Sequence, residues 1–367
     1  MRLPLSAAQL GVWFGQKIDP VSPIYNLGQS IEIYGSIDPG LFKAAVKQAV
    51  VEVEALRVHI IEEIDGPRQV FDRFEIALPL FDVSAELDPK AVAEGWMKAE
   101  LAKPVDLLRG PLFSFALFKA APDRFFWYQG GHHIASDGFG AALFVRRVAD
   151  IYTALVNKLP GSENPFGSLV ALLEEDAFYR ASARFARDRR YWLGTLADRP
   201  EPASLSGRPA ANCSRVLRQT AYLPASSAEK LRSVEHGAGT GLAQCIIAGI
   251  ALYLYRLTSA QDLVLGLAVT GRLGAISRRT PGMSSNMLPL RLALHPRMSL
   301  SELVKQVAEQ VRQGLLHQRY RMEDLGRDLG LLARDQKLFS TLINVMQPSA
   351  ASRRWTLAGR LSGVERD

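Results

Sequence analysis

The chain has 367 residues, 48% of them hydrophobic and 22% charged, with a net charge of +7. That balance describes a globular sequence long enough for two lobes with their own cores, and it argues against intrinsic disorder. The basic residues are scattered, at Arg146-Arg147, Arg187 with Arg189-Arg190, Arg278-Arg279 and Arg353-Arg354, and no nucleic-acid motif accompanies them. The charge therefore points to an acidic protein partner rather than to nucleic acid.

The longest apolar run, Cys245 to Tyr255, is shorter than the roughly 20 residues that a bilayer requires. The opening MRLPLSAAQLG has no signal-peptide pattern, so neither export nor membrane insertion is expected. Cys213 and Cys245 supply no disulfide framework and no thiolate metal cluster, and each reads as a small buried side chain in a reducing cytoplasm.

In chain order, Ser6-Ala-Ala-Gln9 is a capping box that opens a short helix burying Leu10, Trp13 and Phe14. Gln29 to Tyr34 is a strand, and Asp38-Pro39 starts a helix running from Leu41 to about Glu54. Arg57 to Ile61 is a strand, Asp65-Gly66 turns into Gln69-Val70-Phe71, and Asp88-Pro89 starts a helix to about Ala102. Leu112 to Phe118 and Phe125 to Gln129 form a hairpin. The Pro/Gly/Ser-rich stretch Leu159 to Ser168 is the expected domain boundary, dividing residues 1–165 from 166–367.

Beyond it, one polar helix is expected over Ala171 to Leu196, then a Pro-rich loop from Asp198 to Ser214. Ser226-Ser-Ala-Glu229 reads as a second capping box, and Thr240 as the cap of an apolar helix from Gly241 to Leu257. Strands are expected at Leu263 to Thr270, Met287 to Leu294 and Phe339 to Met346, with a Ser299-capped helix between the last two. The order of elements is α+β or mixed α/β rather than a strict βαβ repeat.

One stretch reads as chemistry, Phe125 to Phe144, which holds two of the chain's six histidines. An aromatic strand meets Gly130-Gly131 and is expected to stop just before His132, and Asp137 sits where it would cap the following helix. Adjacent residues on extended backbone point to opposite faces, so His132 and His133 do not chelate one metal ion with Asp137, and no metal is expected. A Ser/His/Asp triad is excluded in its usual form, because Gly-x-Ser-x-Gly is absent and Ser136 is too close in sequence to serve His133. What remains is a histidine that deprotonates or orients an incoming amine or hydroxyl as it attacks an ester or thioester, with the substrate supplying the nucleophile. The alternative is a pair of satisfied turn histidines.

His132-His133-Ile-Ala-Ser-Asp137-Gly138 matches, at every fixed position, the HHxxxDG signature of the condensation domains of nonribosomal peptide synthetases, and the rest of the chain resembles that family in order. Ser6-Ala-Ala-Gln9 with Trp13-Phe14 is similar to its first motif and Glu54-Ala-Leu-Arg57 to its second, although Glu52-Val53 stands where Arg-His is usual. Glu175, Tyr179, Arg180, Asp188 and Tyr191-Trp192 resemble the fourth, Asn286 to Arg291 the fifth, and His317 to Tyr320 with Glu323-Asp324-Leu325 the sixth. Phe339 to Met346 resembles the strand leading into the seventh.

The resemblance implies two chloramphenicol-acetyltransferase-like lobes forming a pseudo-dimer around a tunnel. His133 would position or deprotonate the acceptor α-amine as it attacks a donor thioester, with His132, Asp137 and Gly138 completing the catalytic loop. A buried Arg57–Asp137 bridge would hold that loop, and Asn286, Ser284, Trp13 and His317 would contact substrate. No cofactor is bound by such a domain itself; phosphopantetheine arrives on donor and acceptor carrier proteins, with an adenylation domain as a neighbour. Family members continue beyond Met346, so a truncated second lobe is expected, with Gln347 to Asp367 as a polar tail. Two other readings are a stand-alone acyltransferase using coenzyme A esters, for which His133 and Asp137 satisfy HxxxD, and a non-catalytic carrier-docking module.

Overall fold

The structure, a computed structural model, describes residues 1–207, 217–331 and 336–346. Its first part runs β1 (Arg2–Pro4), α1 (Ala7–Ile18), β2 (Asn26–Tyr34), α2 (Pro39–Glu52), β3 (Val58–Glu63), β4 (Gly66–Phe71), β5 (Leu80–Asp82), α3 (Pro89–Leu101), β6 (Phe113–Ala121), β7 (Arg124–His132), α4 (Gly138–Val156) and α5 (Leu169–Arg180). It continues with α6 (Ala183–Thr195), α7 (Ala225–Ala238), α8 (Leu242–Thr258), β8 (Asp262–Val269), α9 (Ala275–Arg279), β9 (Asn286–Ala293), α10 (Leu300–Leu316), α11 (Met322–Asp328) and β10 (Leu342–Ile343). The described residues fall into two compact units, Met1–Phe178 with Arg272–Ser284, and Tyr179–Gly271 with Ser285–Met346. The division therefore differs from one at residue 165: Leu169, Leu172 and Leu173 of α5 are buried in the first unit's core.

In the first unit a four-stranded sheet, ordered β2-β7-β6-β5, is the backbone of the site. Side chains alternate along β7. Phe125 and Trp127 join the core that includes residues of α2 and α4, while Phe126 and Tyr128 join a second core with Ala93 and Met97 of α3. A smaller sheet, β1-β4-β3, lies in the same unit. Ser6 and Gln9 form the expected capping box of α1, and Asp38 and Asp88 cap α2 and α3. Trp13 is buried as expected, but Phe14 is 60% exposed, because it sits on the other side of α1.

In β7 the expectation is corrected. The strand does not stop at the glycines but runs through Gly130 and Gly131 to His132, pairing with both β2 and β6. Neither glycine needs a positive φ. Gly130 is required for space, since a Cβ there would lie 2.5 Å from Ser114 Oγ and 2.7 Å from the Tyr128 hydroxyl oxygen.

The second unit has a three-stranded sheet, β10-β8-β9, packed against α8 and α10. Four readings change here. The polar helix expected over Ala171 to Leu196 is two helices, because Ser182 takes an extended conformation and caps α6 through the Phe185 amide. Ser226 and Ser227 lie inside α7 rather than capping it. Glu235, not Thr240, supplies the acceptor at the start of α8, bonding the Leu242 amide at 3.1 Å. Only Leu342 and Ile343 of the last expected strand pair, while the Phe339 ring fills the space over Gly266. Ser299 caps α10 with Glu302 as expected, and Cys245 is buried. Cys213, part of the loop from Asp198 to Ser214, and the tail from Gln347 lie outside the described residues. Among the described residues no helix is long and apolar enough to cross a membrane.

Candidate active site

His132 ends β7, opposite Asn26 of β2, and the chain then turns through Ile134, Ala135 and Ser136 into α4. Ile134 and Ala135 are almost fully buried, so the turn is pinned by packing. The His133 amide donates to the Tyr25 carbonyl at 2.8 Å and the Ala135 amide to the His132 carbonyl at 3.0 Å, so the turn's backbone is bonded as well.

The two imidazoles have different surroundings, as opposite-facing neighbours should. His132 is 1% exposed; its Nε2 lies 3.1 Å from Gln16 Oε1 and its Nδ1 accepts from the Ile134 amide at 3.2 Å. Burial, and secondarily the neighbouring His133, pushes its pKa down to about 3, so it is neutral at physiological pH. His133 is half-buried, and its Nδ1 is buried without a hydrogen bond of ordinary geometry. Burial lowers its pKa from the usual histidine value, opposed by the charge of Asp137 and by the backbone of His133 and Ser136. A neutral ring with one nitrogen enclosed leaves Nε2 to meet an incoming group.

Asp137 and Arg272 are both 1% exposed and form the ion pair at the base of the turn. Arg272 Nη2 lies 3.0 Å from each carboxylate oxygen of Asp137 and 2.7 Å from the Gly282 carbonyl oxygen. Its Nη1 donates to the carbonyls of Ser277 and Thr280. The carboxylate also accepts from the Gly140 amide at 2.8 Å and the Ser284 amide at 3.0 Å. Asp137 is therefore at once the cap of α4 and the anchor of the Arg272–Ser284 segment.

This corrects the expected Arg57–Asp137 bridge. Arg57 precedes β3, its guanidinium lies 5.8 Å from the centre of the Phe71 ring on the neighbouring strand, and its Nε is buried without a hydrogen bond. Arg272 escaped sequence reasoning because it is 135 residues from Asp137 and no local pattern joins them. Gln16 escaped it too, looking like any polar helix residue. Glu52, at the position that departs from the motif, makes a two-pronged ion pair with buried Arg147 at 2.6 and 2.8 Å.

The four expected substrate contacts are placed as follows. Ser284 binds Asp137 through its backbone, and Trp13 packs in the first unit's core. Asn286, 5% exposed, spends its amide on the carbonyls of Gln318 and Tyr320 and its Oδ1 on the Met322 amide. His317 caps α10, stacks on Tyr191 with centroids 3.9 Å apart, and bonds Asp188 Oδ1 at 2.8 Å through Nδ1. These polar groups hold structure: Asp188 also accepts from the Tyr179 hydroxyl at 3.0 Å, and Trp192 Nε1 donates to the His317 carbonyl at 3.1 Å. Gly138 is exposed at the first position of α4, where an amide has no intrahelical acceptor. A cavity of about 450 Å³ in the first unit is lined by Trp96, Tyr128, Phe113 and Phe115, among others, and not by either histidine.

Known proteins share this chain's sequence and fold. The family model described as "Condensation domain" matches residues 1–358. The chain is 45% identical over 347 residues to the dimodular nonribosomal peptide synthase of Bacillus subtilis (strain 168), covering 94% of this chain and 15% of that one. It is 41% identical over 347 residues to the isonitrile lipopeptide synthase of Streptomyces coeruleorubidus, again covering 94% of this chain and 24% of the relative. Among solved structures it resembles a mutant starter condensation domain of rhizomide synthetase in complex with C8-CoA, at TM-score 0.88 and 44% identity, covering 94% of this chain and 79% of that one. It also resembles the first condensation domain of the calcium-dependent antibiotic synthetase bound to a substrate analogue, at TM-score 0.85 and 37% identity over 94% of this chain and 80% of the other. With the signature turn intact and the α/β fold shared along nearly its whole length, the chain belongs to the condensation-domain family.

Proposed function

We propose that the chain is an acyltransferase that joins a carrier-bound acyl thioester to the α-amine of a carrier-bound aminoacyl group, forming an amide. The observation that carries this reading is His133: a neutral imidazole, one nitrogen enclosed, on a turn whose neighbouring polar groups are bonded to structure. Nε2 of His133 accepts a proton from the acceptor nitrogen as that nitrogen attacks the thioester carbonyl. The new C–N bond forms, the C–S bond breaks as the tetrahedral intermediate collapses, and the proton passes to the leaving thiolate. The Gly138 amide at the start of α4 donates to the developing oxyanion, supported by the positive end of the helix.

Phosphopantetheine would enter on the carrier proteins rather than reside in the chain. The multidomain relatives, several times longer than this chain, support carriers and an adenylation domain as partners. A second reading has a specific observation in its favour: the starter condensation domain bound to C8-CoA suggests a coenzyme A ester as donor. A reducing cytoplasm suits either, with Cys245 free.

The test mixes acceptor-loaded carrier with either donor-loaded carrier or acyl-coenzyme A, and measures amide formed by the protein and by His133→Ala. Removal of the base is expected to lower the rate by about 10²–10⁴-fold with either donor. Equal rates would overturn the role of His133, and turnover of acyl-coenzyme A alone would select the second reading.

A further inference from the structure

Gln16, in the last turn of α1, is 6% exposed and bonds in a way that leaves no choice of orientation. Its amide nitrogen donates to the Asp19 carbonyl at 2.8 Å and the Ser22 carbonyl at 3.0 Å, so both hydrogens are used. The oxygen must then face His132 Nε2, 3.1 Å away, and it can only accept. On the other side of the ring the Ile134 amide donates to Nδ1 at 3.2 Å. One protonation state satisfies both contacts, with the proton on Nε2 and the lone pair on Nδ1.

We propose that Gln16 is a positioning residue for amide formation, acting through His132: it locks that ring as the neutral Nε2–H tautomer, and so fixes the Ile134 amide in the turn that presents His133. The same peptide group is held from its other end, because Gln9 Nε2 donates to the Ile134 carbonyl at 3.2 Å. Gln9 is itself bonded to the fully buried Gln69 at 3.1 Å. Helix α1 thus grips Ile134 by both backbone groups, one directly and one through the imidazole. Protonation of His132 would break the grip, setting an N–H against the Ile134 N–H and a positive charge beside His133. Among the described residues, the groups placed beside the ring are Tyr25, with its centroid 6.1 Å away, His133 and Gln16, and none of these three is an anion that would favour protonation.

The inference rests on the proposed role of His133, but its first test needs no turnover. ¹⁵N NMR of the imidazole nitrogens in the full chain is expected to show His132 as the Nε2–H tautomer from pH 8 down to pH 5. An Nδ1–H tautomer, or titration of His132 near pH 6.5, would overturn the proposal and leave the acyltransferase reading standing. In Gln16→Leu only the Ile134 amide still favours Nε2–H, so a measurable share of the Nδ1–H tautomer is expected, with kcat reduced at least tenfold and the KM for acceptor unchanged. Gln16→Glu places a carboxylate on Nε2, so His132 is expected to titrate upward and kcat to recover as pH rises above that value. Unchanged kcat in Gln16→Leu, or a loss in Gln16→Glu that does not vary with pH, would show that Gln16 merely packs. Absence of product from the unaltered protein, with the tautomer as stated, would instead count against the acyltransferase reading.

Discussion

Replacing Arg272 by alanine removes one partner of an ion pair in which both members are 1% exposed. Asp137 keeps two backbone donors, Gly140 and Ser284, but loses both contacts to the guanidinium, and the carbonyl of Gly282 loses its bond to Nη2. Breaking a buried pair from one side costs about 3–5 kcal/mol, and the orphaned carbonyls of Ser277 and Thr280 place this case toward the upper end. Arg57→Ala should cost less, because what is lost is a contact with the Phe71 ring, worth about 0.5–1 kcal/mol at partly exposed sites. Urea unfolding of the single variants, of Asp137→Asn and of the two doubles gives the coupling energies. The pair Asp137 and Arg272 should couple by more than about 1 kcal/mol, and Asp137 with Arg57 by less than about 0.5 kcal/mol. Stronger coupling to Arg57 would refute the reasoning and reinstate the bridge read from sequence.

The remaining predictions concern the strand and its histidines. His132 has a folded pKa near 3 and an unfolded value near 6.5, so below pH 6.5 the unfolded chain takes up a proton that the native ring refuses. Stability is therefore present above pH 6.5 and falls as pH drops, by about 2 kcal/mol from this group between pH 6.5 and pH 5. His133, also lowered, tilts the same way. Urea midpoints measured across that window should change less steeply in His132→Asn, and identical slopes would count against it. Gly130→Ala should destabilise by about 1–3 kcal/mol, because its Cβ would meet Ser114 Oγ at 2.5 Å, and Ser114→Ala should recover part of the loss in thermal melts.

What sequence reasoning located were features written within a few residues of one another. The caps at Ser6, Asp38, Asp88, Asp137 and Ser299 each depend on a side chain bonding an amide three residues on, and each is present. What it misplaced depends on tertiary surroundings. Gly130 reads as a strand breaker, yet it is there because Ser114 and Tyr128 crowd its Cβ position, and nothing local says so. Thr240 has the right chemistry for a cap, but Glu235 reaches the Leu242 amide first. Phe339 has strand propensity, but its ring is used to cover Gly266. At the site, the turn and its two histidines were legible from the signature itself, while the reach of Arg272, Gln9 and Gln16 to that turn was not, since each comes from a distant segment.

The turn distributes its polar atoms unequally, and that inequality bears on mechanism. His132 is bonded at both ring nitrogens, Ile134 at both backbone groups, and Asp137 at both carboxylate oxygens. His133 differs, with its backbone tied to Tyr25 and its ring Nδ1 enclosed without a hydrogen bond of ordinary geometry. A site that carried its own nucleophile would need a second side chain aligned with that imidazole, and Ser136, the nearest hydroxyl in sequence, is turned to the Asp137 carbonyl at 3.2 Å. An imidazole on a turn pinned by packing, its charged form disfavoured by burial and with no neighbouring hydroxyl turned to it from Ser136, is suited to a partner that arrives with the substrate. The proposed amide formation, in which the substrate brings the nucleophile, asks for such a group, and the bonding of His132, Ile134 and Asp137 holds the turn that carries it.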